Sequence, residues 1–259
     1  MYRGWRIAVV VPAFNEARLL PRTLETLPRF VDDVIVVDDA SSDRTLASAR
    51  RAGPWRLEVI RHAYNQGVGG AIVTGYRRAL TLGAQAAVVV GADAQMDPAE
   101  MPALLDALVD GQAGYAKGDR LGHPELWSRM PWVRVVGNLA LSRLTALTTG
   151  LGHVRDSQCG YTAITTEALR ALPLEHVYRR YGFPNDLLSH LALAGVPVVD
   201  RPVTPIYATE TSGIRLPRVV PALLWLLGRA LARRLGARWA VPGTSSGASG
   251  RVGALVRRT

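Results

Sequence analysis

Residues 7–16 read Ile7-Ala8-Val9-Val10-Val11-Pro12-Ala13-Phe14-Asn15-Glu16, five apolar residues running straight into a polar turn. Two later stretches repeat the form. Val34-Ile35-Val36-Val37 leads into Asp38-Asp39-Ala40-Ser41-Ser42-Asp43, and Ala86-Ala87-Val88-Val89-Val90 leads into Gly91-Ala92-Asp93-Ala94-Gln95-Met96-Asp97-Pro98. Short apolar runs without alternation are the pattern of strands buried on both faces of a parallel sheet. Between them, residues 17–27 and 67–82 place apolar side chains at helical spacing (Leu20, Leu24 and Leu27; Val68, Ile72, Gly75, Ala79 and Leu82). Strand alternating with helix defines an α/β chain, and in such sheets ligands lie outside the carboxyl ends of the strands. The three polar turns are therefore the expected site. Asp43 and Asp97-Pro98 read as caps of the helices that follow, which leaves Glu16, Asp39 and Asp93 for chemistry.

Beyond residue 110 the pattern predicts strands at 114–117 and 160–164, helices at 132–147 and 185–194, and an extended piece at 196–207, with no internal repeat. The tract 243–250, Gly-Thr-Ser-Ser-Gly-Ala-Ser-Gly, has the composition of a flexible linker, and a disordered tail is expected to follow it. At 259 residues and 48% hydrophobic content, the chain can bury roughly three quarters of its unfolded surface in one core. A single cysteine, Cys159, excludes an intramolecular disulfide framework and a cysteine-based zinc site. Only five apolar residues precede Pro12, too few for a secretory signal, so the reading starts the protein in the cytoplasm.

The net charge of +10 is unevenly spread: residues 211–259 carry nine arginines (215, 218, 229, 233, 234, 238, 251, 257 and 258) and no acidic residue. Without them, 22 basic residues face 21 acidic ones. A basic end on a neutral body points to an anionic partner, nucleic acid or anionic lipid. Only Trp225 and Trp239 lie among these arginines, which argues against the interleaved aromatics of a nucleic-acid surface. The apolar run 219–227 is far short of the roughly 20 residues needed to cross a bilayer. On a helical projection Leu223, Leu224, Leu227, Leu231 and Leu235 share one face while Arg215, Arg218, Arg229 and Arg233 cluster elsewhere, with Arg234 and Arg238 blurring the division. Such a helix suits either an anionic membrane surface or the protein body, its arginines then in water.

Asp93 and Gln95 offer two oxygen ligands two residues apart, suited to a hard cation such as Mg²⁺ or Mn²⁺ that takes phosphate oxygens and water for the rest. Asp39 can accept paired N–H donors from a uracil or guanine edge, whereas Asp38 reads equally as a turn residue. Asn65-Gln66-Gly67-Val68-Gly69-Gly70-Ala71 opens a helix with glycines but matches neither G-x-G-x-x-G nor a P-loop, so it is either a tight packing loop or a ligand contact. The first strand end lacks the Gly-rich basic loop of a nucleotidyltransferase. His62, His123, His153, His176 and His190 show no metal-ligand spacing and read as structural or surface residues.

Taken in order, these stretches resemble the family 2 glycosyltransferases, in the branch of dolichol-phosphate mannose synthases and bacterial polyprenyl-phosphate sugar transferases. The resemblance spans residues 6–215 and is carried by V-V-V-P-A-F-N-E (9–16), V-V-D-D-A-S-S-D-R-T (36–45), N-Q-G-V-G-G-A (65–71), G-A-D-A-Q-M-D-P (91–98), K-G-D-R (117–120), D-S-Q-C-G-Y (156–161) and Y-G-F-P-N-D-L-L (181–188). It implies a GT-A fold with a mostly parallel central sheet flanked by helices, a GDP- or UDP-sugar donor, a divalent cation, Mg²⁺ or Mn²⁺, and an inverting transfer. By position Pro12, Phe14, Glu16 and Asp39 would hold the nucleoside. Ala92, Asp93 and Gln95 would face the diphosphate and metal, and Arg120 a phosphate of donor or acceptor.

The chain departs from the family at three places. Gly91 stands where the metal motif usually begins with Asp, leaving Asp93 as its carboxylate and giving a nucleotide-sugar-binding relative without transfer its best support. Asn185-Asp186 replaces an acidic pair, so Asp186 is the available base there. Thr209 and Glu210 stand where the dolichol-phosphate enzymes place a phosphate-binding Arg, a role Arg215 could take. A polyprenyl phosphate arrives ionised and attacks unaided, whereas a sugar hydroxyl needs a base such as Asp186. The resulting expectation is a transferase domain over 1–212, a basic amphipathic helical segment over 213–242 and a flexible tail over 243–259. It acts on a polyprenyl phosphate in the cytoplasm, or peripherally at the cytoplasmic face of a membrane, and binds no nucleic acid.

Overall fold

The computed structural model describes residues 1–53, 56–206 and 216–239, and within the last stretch the side chains of 219–237. The expectations for Thr209, Glu210, Arg215, the side chains of Arg218 and Arg238, and the tail 243–259 fall outside the described residues.

The three apolar runs form β1 (Ile7–Ala13), β2 (Asp33–Asp38) and β4 (Ala86–Val89), joined by β3 (Leu57–Arg61), β5 (Tyr115–Asp119), β6 (Thr162–Thr165) and β7 (Val198–Pro202) in one sheet of order β3-β2-β1-β4-β6-β5-β7. All pairings are parallel except those of β6, which runs antiparallel to β4 and β5. The helices are α1 (Leu20–Glu25), α2 (Thr45–Ala52), α3 (Val68–Thr81), α4 (Met101–Val109), α5 (Leu126–Arg129), α6 (Trp132–Thr149), α7 (Thr166–Ala171), α8 (Phe183–Leu193) and α9 (Leu216–Trp239). None among the described residues is long and apolar enough to cross a membrane.

Both faces of the sheet are covered, which is why its central strands carry no polar alternation. Ile7, Val9 and Val11 of β1 enter one core with Leu20, Leu24, Leu104 and Leu105. Ala8 and Val10 enter the other with Ile72, Tyr76, Leu187 and Leu191. Asp97 caps the turn that leads into α4 by accepting from the Ala99 N–H at 2.9 Å, and Asp43 accepts from the Thr45 N–H at 2.9 Å at the start of α2.

The C-terminal helix differs from its projection. Leu223, Leu226, Leu227 and Ala230 are buried where α9 packs on α6 and α8, while Leu224, Leu231 and Leu235 face outward. Arg229 and Arg233 turn inward. Their partner is Asp186 of α8, whose buried charge requires a cation beside it.

Candidate active site

Because β2, β1 and β4 are neighbours, their three polar ends meet at one edge of the sheet. Each turn there contains one non-glycine residue in the left-handed region, Asn15 (φ 58°), Ala40 (φ 62°) and Ala94 (φ 55°). For a residue with a Cβ this costs about 1–2 kcal/mol, and such strain concentrates where a loop must present particular groups. The first two turns are laced together. Asn15 N–H donates to Ser41 Oγ at 2.9 Å, Ser42 N–H to Asn15 Oδ1 at 2.9 Å, and Glu16 N–H to Thr45 Oγ1 at 2.8 Å. Pro12 and Glu16 are half-buried beside them and the Phe14 ring is exposed.

Asp39 is buried, and its carboxylate accepts from three protein donors: His62 Nδ1–H at 2.7 Å, Gln66 N–H at 2.8 Å and Gly67 N–H at 2.7 Å. Thr74 of α3 holds the other ring nitrogen of His62 at 2.9 Å. Asp39 therefore anchors the 65–67 loop, which takes up most of the acceptor capacity the sequence reserved for a base. That loop packs against chain rather than sheet. Gly67 has φ +89°, and a Cβ on it would lie 2.6 Å from the Arg179 carbonyl oxygen.

A cleft of about 370 Å³ opens beside β4, lined by Asp93, Gln95, Arg120, Gln158 and Tyr181 among others. The reversal of β6 explains who meets here. Its N-terminal end stands over the C-terminal ends of β4 and β5, with Thr162 paired to both Val89 and Lys117, so residues 156–161 arrive where Asp93 and Arg120 already are. Asp156, fully buried, grips Arg120 through Nε at 2.8 Å, Nη2 at 3.1 Å and the main-chain N–H at 3.2 Å. Burial alone would raise the Asp156 pKa, but the Arg120 guanidinium and Lys117 outweigh it and hold the carboxyl below its ordinary value. Lys117 is itself buried and donates to the Cys159 carbonyl, its pKa lowered by desolvation. Cys159 is buried, and its burial raises the thiol pKa above the ordinary value.

At the β4 end, Asp93 Oδ1 accepts from the Gln95 N–H at 3.1 Å, a turn that presents both side chains to the cleft. A Cβ on Gly91 would sit 2.8 Å from Asp93 Oδ1, so the glycine makes room for the carboxylate that remains. Among the described residues no group of three or more His, Cys, Asp or Glu is arranged to hold a metal. Asp93 and Gln95 fit a cation such as Mg²⁺, which draws the rest of its shell from water and phosphate oxygens. Ala92 of the same turn is buried in the core beneath the first sheet face.

Asp186 stands apart from the cleft lining. Its carboxylate accepts from the Tyr178 N–H at 2.7 Å and Arg233 Nη1 at 2.9 Å and forms an ion pair with Arg229 Nη2 at 2.7 Å, with His190 Nε2 at 3.7 Å. At the position where the resemblance implied a base, Asp186 lies off the cleft lining and pairs with two arginines. Asp156, Gln158 and Tyr181 were not assigned roles from sequence, although the motifs 156–161 and 181–188 contain them. Arg229 and Arg233 were expected to face lipid or water, and instead they pair with Asp186.

The sheet order with its reversed strand, the strand-end site and the Asp-x-Gln turn describe a GT-A transferase. The sequence profile for glycosyl transferase family 2 matches residues 8–172, and the chain belongs to that family as a glycosyltransferase. It is 30% identical over 224 residues to the UDP-N-acetylglucosamine–dolichyl-phosphate N-acetylglucosaminyltransferase of Methanococcus voltae, covering 81% of this chain and 88% of the relative. It is 32% identical over 209 residues to the undecaprenyl-phosphate mannosyltransferase of Micrococcus luteus, covering 77% and 83%. In fold it resembles glucosyl-3-phosphoglycerate synthase of Mycobacterium tuberculosis, crystallised with Mn²⁺, UDP and phosphoglyceric acid, with TM-score 0.64 and 22% identity over 95% of this chain and 82% of that one.

Proposed function

We propose that this chain transfers a sugar, with inversion, from a UDP- or GDP-sugar to a polyprenyl phosphate. One observation carries the choice of acceptor: among the described residues lining the cleft, Asp93 is the only carboxylate, and the nearest family-position base, Asp186, is tied to two arginines. A cleft that offers a phosphate and cation site without a second carboxylate suits an acceptor that brings its own anionic oxygen. The two relatives named for dolichyl and undecaprenyl phosphate support the same acceptor.

In this reading a phosphate oxygen of the lipid attacks the anomeric carbon as the bond from that carbon to the donor diphosphate breaks. The products are a glycosyl phospholipid and a nucleoside diphosphate. Asp93 and Gln95 would hold Mg²⁺ or Mn²⁺, which when bound supplies Lewis-acid stabilisation of the leaving diphosphate. Arg120, its guanidinium oriented by the bidentate bond to Asp156, would address phosphate charge from the cleft wall. Pro12, Phe14, Glu16 and the Asp39-anchored loop would seat the nucleoside. The proposed organisation is a transferase body over 1–212, a basic helical segment over 213–242 and a tail over 243–259, working at the cytoplasmic face of a membrane where the lipid resides.

The test combines thermal shift with transfer. A nucleoside diphosphate sugar at about 100 times its dissociation constant stabilises by about 2.7 kcal/mol. A shift with one base, requiring Mn²⁺, together with sugar transfer to undecaprenyl or dolichyl phosphate, is the expected result. Asp93→Ala is expected to lower turnover about 10²–10³-fold. Donor binding without transfer to any prenyl phosphate would overturn the acceptor assignment.

A further inference from the structure

Gln158 stands on the wall of the cleft, fixed at both its main chain and its side chain. Its main-chain N–H donates to Asp156 Oδ1 at 3.1 Å, an oxygen of the same carboxylate that grips Arg120. Its Nε2 donates to Ser157 Oγ at 2.8 Å and to Asn185 Oδ1 of α8. Ser157 is fully buried and is held in turn from α6, where Ser142 Oγ accepts from the Ser157 N–H at 2.9 Å. Ordering a long side chain costs up to about 2 kcal/mol in lost rotamers, so a glutamine that serves only to be wetted keeps its amide free. Here contacts from two helices immobilise it.

Asn185 shows what the arrangement is for. It is 3% exposed, its Oδ1 is occupied by Gln158, and its Nδ2 is buried without a hydrogen-bond partner among the described residues. A buried donor left unpaired costs about 1–3 kcal/mol. The polar group of Asn185 is thus retained at a cost for the single contact that aims Gln158.

With both Nε2 protons turned toward Ser157 and Asn185, Gln158 has its amide oxygen Oε1 left for the cleft. That oxygen accepts and cannot donate. Ionised phosphate oxygens have no proton to offer it, so it fits neither a diphosphate nor a lipid phosphate. The nucleoside is expected beside Pro12, Phe14, Glu16 and Asp39, none of which lines this cleft. The sugar between the diphosphate and the incoming acceptor is the part of the reacting pair whose hydroxyl groups donate.

We propose that Gln158 reads the donor sugar by accepting a hydrogen bond from one of its hydroxyl groups, and that Asn185 is the positioning residue behind it. This rests on the nucleotide-sugar part of the reading above and adds the residue that separates one sugar from another. A site that pairs with a substrate hydroxyl rejects an analogue unable to supply it more strongly than an apolar wall does.

The experiment is calorimetric titration of the full chain, in Mn²⁺, with UDP, GDP, UDP-glucose, UDP-N-acetylglucosamine and GDP-mannose. Gln158→Met keeps the length of the side chain and removes its hydrogen bonds. It is expected to weaken the best-bound nucleotide sugar by roughly fivefold or more and to narrow its lead over the other sugars, while the matching nucleoside diphosphate stays within about twofold of wild type. Asn185→Ala should shift sugar binding in the same direction, and the double variant should be no weaker than Gln158→Met alone, because both changes act through one hydrogen bond. A loss shared equally by sugar-bearing and sugar-free nucleotides, or no loss at all, would overturn the assignment. Losses that add in the double variant would remove Asn185 from it. A folded wild type that binds no nucleotide would overturn the donor reading and this inference together. Sugar binding that responds as stated, without transfer to any prenyl phosphate, would overturn the acceptor reading alone and leave Gln158 in its role.

Discussion

Asp186 illustrates how a motif position can be redirected by one distant contact. Its carboxylate is buried against Arg229 and Arg233, which reach it from α9 and tie that helix to α8. Asp186→Asn leaves two partly buried guanidinium groups short of a counter-ion and is expected to destabilise the fold by about 3–5 kcal/mol, read as a lowered melting temperature. If turnover of the folded variant on a prenyl phosphate stays within about tenfold of wild type, no base acts there; a general base would cost about 10²–10⁴-fold. Arg120 is the opposite case. It lines the cleft, and its bidentate bond to Asp156 sets its orientation.

Among the elements, the turn after β4 carries the most consequence per residue. Gly91 N–H donates to Met96 Sδ at 3.1 Å, Ala94 adopts a left-handed conformation, and Asp93 occupies the volume beside the glycine. Gly91→Ala would place a methyl 2.8 Å from Asp93 Oδ1 and turn the carboxylate aside. The expected outcome is a reduced stabilisation by UDP or GDP with Mn²⁺ in a thermal-shift titration, the unliganded melting temperature changing little because the turn is partly exposed. An unchanged metal-dependent shift would mean that Asp93 can be accommodated elsewhere. The parallel turn after β2 is stiffened differently, by Asp39 bridging His62 and the 65–67 loop, and its half-buried neighbour β3 (Leu57–Arg61) was not singled out because Glu58 and Arg61 leave too short an apolar run at the sheet edge.

Across the whole molecule, the attachment of α9 to α8 makes stability depend on pH. His190 is buried, which lowers its pKa below the ordinary 6.5; Asp186 on the same helix opposes this, while Arg233 and Arg229 of α9 and His176 push it further down. A depressed histidine means the unfolded chain binds the extra proton, so stability is complete above pH 6.5 and is lost as pH falls below it. The melting temperature should decline through that range, and His190→Gln should remove that part of the decline; an identical pH profile in the variant would exclude His190 as the source. The same attachment turns the basic C-terminal helix into a fitted part of the body.

The α/β class, the helices beside the first strands and the three polar strand ends were readable because each is a property of contiguous residues: an apolar run, a helical spacing, a turn. The turn that brings Asp93 and Gln95 to the cleft was visible for the same reason, two oxygen-bearing side chains two residues apart. Helices α2 and α4 were signalled only by their capping aspartates, and α5 and α7 were not singled out, their short stretches giving weaker periodic signals. The strand order, the reversal of β6 and the pairings it creates were decided only in three dimensions. Arg120 and Asp156 are 36 residues apart, Asp186 and Arg233 47 apart, and no local pattern says which carboxylate a guanidinium will choose. The outward face of α6 is likewise tertiary in origin: a helical spacing states that one side is apolar, and only the packing of Ser142, Thr145 and Thr149 against the body decides that this side faces out.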